Sequence, residues 1–77
     1  MKSIHSIEYK AVIDTLVAER KHAGITQKQL ADSLGKPQSY ISKIESRERR
    51  LDIVEFFHIC NAMQKDGVTI LRKAGLC

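Results

Sequence analysis

Apolar residues recur along this chain at steps of three and four positions, the spacing that places them on one face of an α-helix. The first stretch of this kind contains Tyr9, Val12, Ile13, Leu16 and Val17, and charged residues occupy positions between them. Shorter stretches of the same kind follow. The pattern predicts helices at about residues 8–22, 27–34, 38–46 and 53–64, and a short fifth helix that ends near residue 73.

Start and stop signals mark the ends of these helices. Gly24 and Gly35 follow the first two helices, where glycine readily adopts the left-handed conformation that closes a helix. Residues whose side chains can cap a helix N-terminus precede the second, fourth and fifth helices. These predicted caps are Thr26 with Gln29, Asp52 with Glu55, and Asp66.

The predicted core draws mainly on the apolar faces of the helices. In the third helix, Tyr40, Ile41 and Ile44 fall on one side and are expected to be buried. In the fourth helix, the residues at core spacing are Ile53, Phe56, Phe57, Cys60 and Met63.

Composition favours an all-α fold. The chain has 77 residues, of which 43% are hydrophobic, so there is room for one domain with one small core. Two Phe, two Tyr and no Trp supply little aromatic mass for the interior of a β-sandwich or barrel. We therefore predict a compact five-helix bundle that forms a single domain over residues 1–77.

Candidate chemistry is sparse. Cys60 and Cys77 are too few and too far apart for a disulfide framework, so a reducing, cytoplasmic location is expected. No group of Cys and His has zinc spacing, and His5, His22 and His58 are expected in solvent. No apolar run approaches the length that spans a bilayer. The sequence thus predicts no metal, no cofactor, no membrane and no enzymatic activity.

Positive charge is concentrated in the middle of the chain. The net charge is +4, and residues 25–50 carry six basic against three acidic side chains. Such a segment fits a polyanion partner, although an ordinary solvated surface explains a surplus of this size equally well.

The second and third helices have the layout of a DNA-binding helix-turn-helix, over about residues 26–46. They are short, and a glycine-containing turn of three to four residues joins them. The outward face of the third helix carries no acidic residue, which would repel DNA. Its members are Gln38, Ser39, Ser42, Lys43 and Ser46, whose groups can reach base edges and phosphates.

Residues 26–45, TQKQLADSLGKPQSYISKIE, strongly resemble the lambda-repressor-like helix-turn-helix family, also called the Cro/cI or XRE type. The TQxxLA opening, the glycine of the turn and the SYISxIE segment are its specific elements. The resemblance covers about residues 9–63, and it implies binding to the major groove of double-stranded DNA.

The resemblance also implies roles for individual residues. The third helix would read bases, while the flanking residues would hold phosphates. The base-reading positions are Gln38, Ser39 and Lys43. The phosphate-contacting positions are Gln27, Tyr40, Ser42, Arg49 and Arg50. Gln27 would also brace Gln38.

Two positions depart from the family pattern. Pro37 stands where members commonly have Ser or Thr, so the third helix lacks a capping hydroxyl. Arg47 stands where many members have glycine, which leaves the path of the following loop and the placement of Arg49 open.

Arg20 lies at the edge of the apolar stripe of the first helix, where a charge needs a partner to offset its desolvation. Glu45 flanks Ile41 and Ile44 and is the natural candidate. The family resemblance supports an ion pair between Arg20 and Glu45, and both residues are interpreted as structural.

The function predicted from these features is a sequence-specific transcriptional regulator, a repressor that binds a palindromic operator as a homodimer. The fifth helix and tail, residues 66–77, are the expected dimer interface, because so short a helix cannot bury all its apolar residues. An alternative of another class stays open: an antitoxin or interaction module whose main partner is a protein.

Overall fold

A computed structural model describes residues 6–76 of the protein, and these residues form five α-helices and no strand. The helices are α1 (Ile7–His22), α2 (Gln27–Ser33), α3 (Gln38–Glu45), α4 (Ile53–Ala62) and α5 (Gly67–Lys73). The predicted all-α class and helix count are confirmed for this part of the chain. The predicted end of the fourth helix lay two residues too late. The expectations for His5 and Cys77 lie outside the described residues.

Side-chain caps begin four of the helices. At α2, the backbone amide of Gln29 donates to Thr26 Oγ1 (3.0 Å), and the backbone amide of Thr26 donates to Gln29 Oε1 (2.9 Å). These two bonds complete the predicted capping box. The corresponding box at α4 joins Asp52 and Glu55, and Asp66 caps α5. Ser6 caps α1, a role that the sequence pattern did not suggest.

The core forms where the apolar faces of all five helices meet. Tyr9 is almost fully buried, and its hydroxyl accepts a hydrogen bond from the backbone amide of Leu51 at 2.9 Å. This bond ties α1 to the segment before α4. The buried apolar residues are Tyr9, Val12, Ile13, Leu16, Leu30, Ala31, Ile41, Ile44, Leu51, Phe56, Ile59, Cys60, Met63 and Ile70.

The predicted core face of α4 needs correction. Ile53 is 61% exposed, whereas Ile59, absent from the prediction, is only 3% exposed. Ile53 continues the apolar stripe by spacing, but it is the first residue of the helix and is not among its buried residues. Phe57 and Tyr40 are half-buried at the margin of the core.

Gly67 allows α5 to approach α4 closely. A Cβ atom at this position would overlap the ring of Phe57. The Phe57 ring in turn packs edge-on against Phe56, with ring centroids 5.2 Å apart. Glycine at the first position of α5 therefore leaves room for the Phe57 side chain of α4.

Glu19 links α1 to the C-terminal part of the chain. Its side chain is nearly buried, and Lys73 Nζ donates to Glu19 Oε2 at 3.1 Å. Lys65 Nζ lies 3.9 Å from Glu19 Oε1. Two cations thus compensate a carboxylate that faces the junction of α1 and α5, an arrangement the sequence pattern did not reveal.

Candidate nucleic-acid interface

The turn between α2 and α3 is built on a Schellman motif. Gly35 adopts φ +67°, its amide donates to the Asp32 carbonyl (3.1 Å), and the Lys36 amide donates to the Ala31 carbonyl (2.9 Å). Glycine suits this left-handed position because it has no Cβ. The motif ends α2 and turns the chain into α3 within four residues.

Pro37 occupies the N-cap position of α3 with extended backbone angles, and no side-chain hydrogen bond caps this helix. The predicted absence of a capping hydroxyl is therefore confirmed. Ile41 and Ile44 fix the rotation of α3 by entering the core, where both are almost fully buried. The opposite face of α3 is exposed.

The predicted base-reading residues share that exposed face. Gln38, Ser39 and Lys43 are all exposed. Ser42 is half-buried, and its hydroxyl donates to the Ser39 carbonyl at 3.3 Å. The structure therefore places an amide, a hydroxyl and an ammonium together on the outside of α3.

Gln27, the first residue of α2, contacts the first residue of α3. Gln38 Nε2 donates to Gln27 Oε1 at 3.4 Å, and Gln27 Nε2 donates to Glu45 Oε1 at 2.9 Å. The predicted bracing contact between Gln27 and Gln38 is present. The contact of Gln27 with Glu45 was not predicted, because spacing along the chain does not reveal it.

The ion pair between Arg20 and Glu45 is confirmed. Arg20 Nε lies 2.6 Å from Glu45 Oε2, and Nη2 lies 3.0 Å from Oε1. Nη1 donates to the Ile25 carbonyl at 2.7 Å. The two side chains are only 9% and 13% exposed, so this bidentate pair joins α1 to α3 in a largely dry environment.

Arg49 belongs to a second cluster, at the edge of α3. It donates to both oxygens of Glu55, at 3.0 and 2.8 Å. Its guanidinium also lies 4.8 Å from the centre of the Tyr40 ring, and the Tyr40 hydroxyl donates to Glu55 Oε2 at 3.2 Å. Arg49 is therefore partly neutralised, whereas Arg50 is exposed.

This cluster shifts the pKa values of Glu55, Tyr40 and Arg49. The hydrogen bonds from Arg49 lower the pKa of Glu55 to about 2, against the opposing effect of desolvation. Burial and the negative charge of Glu55 raise the pKa of Tyr40. Glu55 therefore stays ionised, and Tyr40 protonated, throughout the neutral range.

We expect the Glu55 cluster to stabilise the fold above the ordinary carboxylate pKa and to lose this effect in acid. Because the pKa of Glu55 falls from 4.5 to about 2 on folding, the unfolded chain takes up the proton first as pH decreases. The free energy of unfolding should drop by roughly 1 kcal/mol between about pH 5 and 2, a figure reduced for solvent screening. Denaturant titrations at stepped pH would measure it.

The informative comparison is with Glu55→Gln, which keeps an acceptor for the capping box but cannot titrate. Its stability should change less with pH in that window than wild type. Glu8→Gln, which changes an exposed carboxylate, serves as the control. Parallel pH profiles for wild type and Glu55→Gln would contradict the assignment.

The loop after α3 follows the path of a glycine-closed helix even though it contains arginine. Arg47 adopts φ +63°, its amide donates to the Ile44 carbonyl (3.1 Å), and the Glu48 amide donates to the Lys43 carbonyl (2.9 Å). This is a second Schellman motif. The loop therefore closes α3 in the way a glycine would, although arginine occupies the position. This settles the path of the loop after α3, which the sequence left open.

The remaining candidate chemistry is structural. Cys60 lies in the core as predicted, and burial raises the pKa of its thiol to about 11. His22 and His58 are exposed, as expected. Over residues 6–76, no cluster of three or more His, Cys, Asp or Glu is arranged to hold a metal ion, and no helix is long and apolar enough to cross a membrane.

Comparisons with known proteins agree with this geometry. A family model described as "Helix-turn-helix" matches residues 16–69, more than half of the chain. No curated protein matches the chain. A solved structure, an XRE-family like protein from Pseudomonas syringae pv. tomato str. DC3000, is 47% identical and has a TM-score of 0.87. The match covers 94% of this chain and 88% of that one. The protein is therefore a member of the XRE-type helix-turn-helix family of DNA-binding transcription regulators.

Proposed function

We propose that the protein is a transcriptional repressor that binds a palindromic operator as a homodimer, with α3 of each subunit in the major groove. Family membership supports DNA binding and transcription regulation. Repression is the simplest result of such binding, because a protein seated on an operator blocks other proteins from the same base pairs.

The outer face of α3 is the observation that carries the proposal. Gln38, Ser39 and Lys43 are exposed there, and the single acidic residue of the helix, Glu45, is turned inward onto Arg20. A glutamine amide can pair with adenine through a donor and an acceptor, and lysine can donate to guanine. Serine can bond to either kind of base edge. These three side chains are therefore assigned to base reading.

The phosphate contacts are assigned around this face. Gln27 and Ser42 flank the base-reading residues, and Arg50 is exposed in the loop after α3. Arg49 donates two of its hydrogen bonds to Glu55 and rests on the ring of Tyr40. A guanidinium has five N–H donors, so Arg49 keeps donors for a phosphate while Glu55 holds its position. The phosphate set is Gln27, Tyr40, Ser42, Arg49 and Arg50.

Selection of bound sequences from a random DNA pool tests this function. The expected product is a short inverted repeat whose half-sites lie about one helical turn, roughly 34 Å, apart. Selection of a site without this symmetry would contradict the proposed palindromic operator. Failure to enrich any sequence would overturn base reading by α3.

An apolar groove supports the homodimer. It has a volume of about 120 Å³ and lies between α1, the start of α4 and the C-terminal segment. Leu51, Ile53, Leu71 and Leu76 are among its lining residues. Val68 of α5 is exposed but does not line the groove, and Ile70 is buried in the core. The proposed interface therefore comprises part of residues 66–76 and extends beyond them to Ile53.

The dimer interface predicts that Ile53→Glu and Leu76→Glu, at two exposed positions that line the groove, yield monomers. Both side chains are already exposed, so the fold should tolerate the charge, while a buried dimer contact should not. Light scattering at micromolar concentration would report the mass, and far-ultraviolet circular dichroism would report the helix content. Ile7→Glu is the matched control, because Ile7 is exposed but does not line the groove. A monomeric wild type, or dimeric variants, would refute the interface.

The same groove favours a second candidate, an antitoxin or interaction module whose main partner is another protein. The lining of this groove contains no residue of α3, so a protein bound there would leave α3 free. Purification from native lysate separates the two functions. A stoichiometric second protein, lost in Ile53→Glu, would favour the interaction module, and a homodimer alone would favour the repressor.

A further inference from the structure

A chain of polar contacts connects the buried ion pair with the outer face of α3. Arg20 holds both oxygens of Glu45. Glu45 Oε1 accepts from Gln27 Nε2 at 2.9 Å, and Gln27 Oε1 accepts from Gln38 Nε2 at 3.4 Å. The interior of the protein is thus connected, residue by residue, to the side chain that is assigned to read a base.

The direction of these hydrogen bonds follows from the chemistry of Glu45. A carboxylate accepts hydrogen bonds and donates none, so Gln27 must turn its amide nitrogen toward Glu45. The Gln27 oxygen then faces away from the ion pair, and the Gln38 nitrogen turns toward that oxygen. One fixed acceptor therefore sets the orientation of two successive amides.

We propose that Glu45, anchored by Arg20, is a positioning residue that sets the amide orientation of Gln38 and thereby its base preference. The proposal rests on the function given above, in which Gln38 reads a base. With Nε2 held on the Gln27 side, its second hydrogen can donate to adenine N7 while Oε1 accepts from the adenine N6 amine. The reversed amide would set acceptor against acceptor and donor against donor.

The expected effect is moderate. The contact between Gln38 and Gln27 is longer than the usual separation of about 2.9 to 3.0 Å, and both side chains reach the surface. A single hydrogen bond of this kind biases one orientation by about two- to tenfold. We call the chain of hydrogen bonds from Arg20 through Glu45 and Gln27 to Gln38 the relay. Loss of the relay should lower the preference at the base pair read by Gln38 by that factor.

Two variants interrupt the relay at different points. Glu45→Gln introduces an amide nitrogen that can donate, so the orientation of Gln27 is no longer forced. Gln27→Leu removes the link and leaves the ion pair of Arg20 with Glu45 in place. In both, binding competition among sites that differ at single base pairs should show a two- to tenfold loss of preference at the Gln38 position. Preference at other positions should be kept.

Glu19→Gln is the matched control. It neutralises another nearly buried carboxylate, one that binds Lys73 and has no contact with Gln27 or Gln38. It should lose stability without a change in base preference. If Glu19→Gln and Glu45→Gln reduced base preference equally, the loss would come from general destabilisation of the fold, and the proposal would be overturned.

A further comparison separates this proposal from the function on which it rests. If Gln38→Ala flattens preference at one base pair but Glu45→Gln and Gln27→Leu do not, the relay is refuted and base reading stands. If Gln38→Ala also leaves preference intact, both are refuted. If Glu45→Gln loses its helical circular dichroism, Gln27→Leu decides the question alone, because it spares the ion pair.

Discussion

Arg20→Ala and Glu45→Ala are each expected to lower the free energy of unfolding by about 3 kcal/mol. Each change leaves the other charge in a site that is only about one-tenth open to solvent, without the partner that compensates its desolvation. Arg20→Ala also removes the donor to the Ile25 carbonyl in the connection between α1 and α2. Chemical denaturation followed by circular dichroism would measure both losses.

The size of the effect is large for this chain. A domain of this length has a total stability of about 4 to 11 kcal/mol, so either substitution removes a substantial fraction. The double variant should be less destabilised than the sum of the single variants, because it leaves no isolated charge. This non-additivity distinguishes a buried pair from two independent side chains.

An exposed ion pair supplies the control. Lys28 and Asp32 are 70% and 63% exposed and lie 3.1 Å apart on α2. Lys28→Ala should change stability by no more than about 0.5 kcal/mol, because water and salt screen such pairs. Denaturation midpoints for Arg20→Ala and Glu45→Ala equal to that of Lys28→Ala would show that the buried pair contributes little.

The helices were predictable because their signals are local. Apolar spacing, capping side chains and glycines act over a few residues, and α2 shows this most clearly. Thr26, Gln29 and Gly35 fix both of its ends through contacts within one turn of the chain. The partial failure in α4 has a different origin. Spacing alone predicts that Ile53 and Phe56 are both buried. Which of the two is buried depends on where the neighbouring helices lie.

The exposure of Gln38, Ser39 and Lys43 on α3 was predictable from the sequence, whereas the contacts around α3 were less so. Gln27 and Gln38 occupy positions that the family resemblance identifies, and they do meet in the structure. The hydrogen bond from Gln27 to Glu45 spans 18 positions of the sequence, and Arg49 pairs with Glu55 across a loop. Such contacts depend on how α2 and α4 are placed beside α3, which hydrophobic periodicity does not encode.

Gly67 and Glu19 show the same limit. In the sequence, Gly67 resembles an ordinary glycine at the start of a helix. Only the structure shows why glycine is required there, because the Phe57 ring occupies the space that a Cβ atom would fill. Glu19 looks like one more charged residue on α1. In the structure its side chain is nearly buried and bonds to Lys73, 54 positions later. Long-range packing, not local propensity, determines the role of both residues.

Gln38→Ala and Arg50→Ala are expected to have opposite effects on DNA binding. Gln38 can pair its amide donor and acceptor with one base, so its loss should cost about 1 to 3 kcal/mol on the selected site. It should also flatten preference at one base pair in each half-site, with little change in salt dependence. Arg50 lies in the loop and is assigned to the phosphate backbone, so its loss should weaken binding to all sequences nearly equally.

Salt titration separates these two roles, because each phosphate contact releases bound counterions. Removal of Arg50 takes one contact from each subunit, and the slope of log affinity against log salt should become shallower by roughly 2 for the dimer. Arg72→Ala removes another exposed cation, one on α5, which packs on α1 and α4, and should leave the slope unchanged. If Gln38→Ala kept base preference while Arg50→Ala altered it, the loop after α3 would be the element that enters the groove.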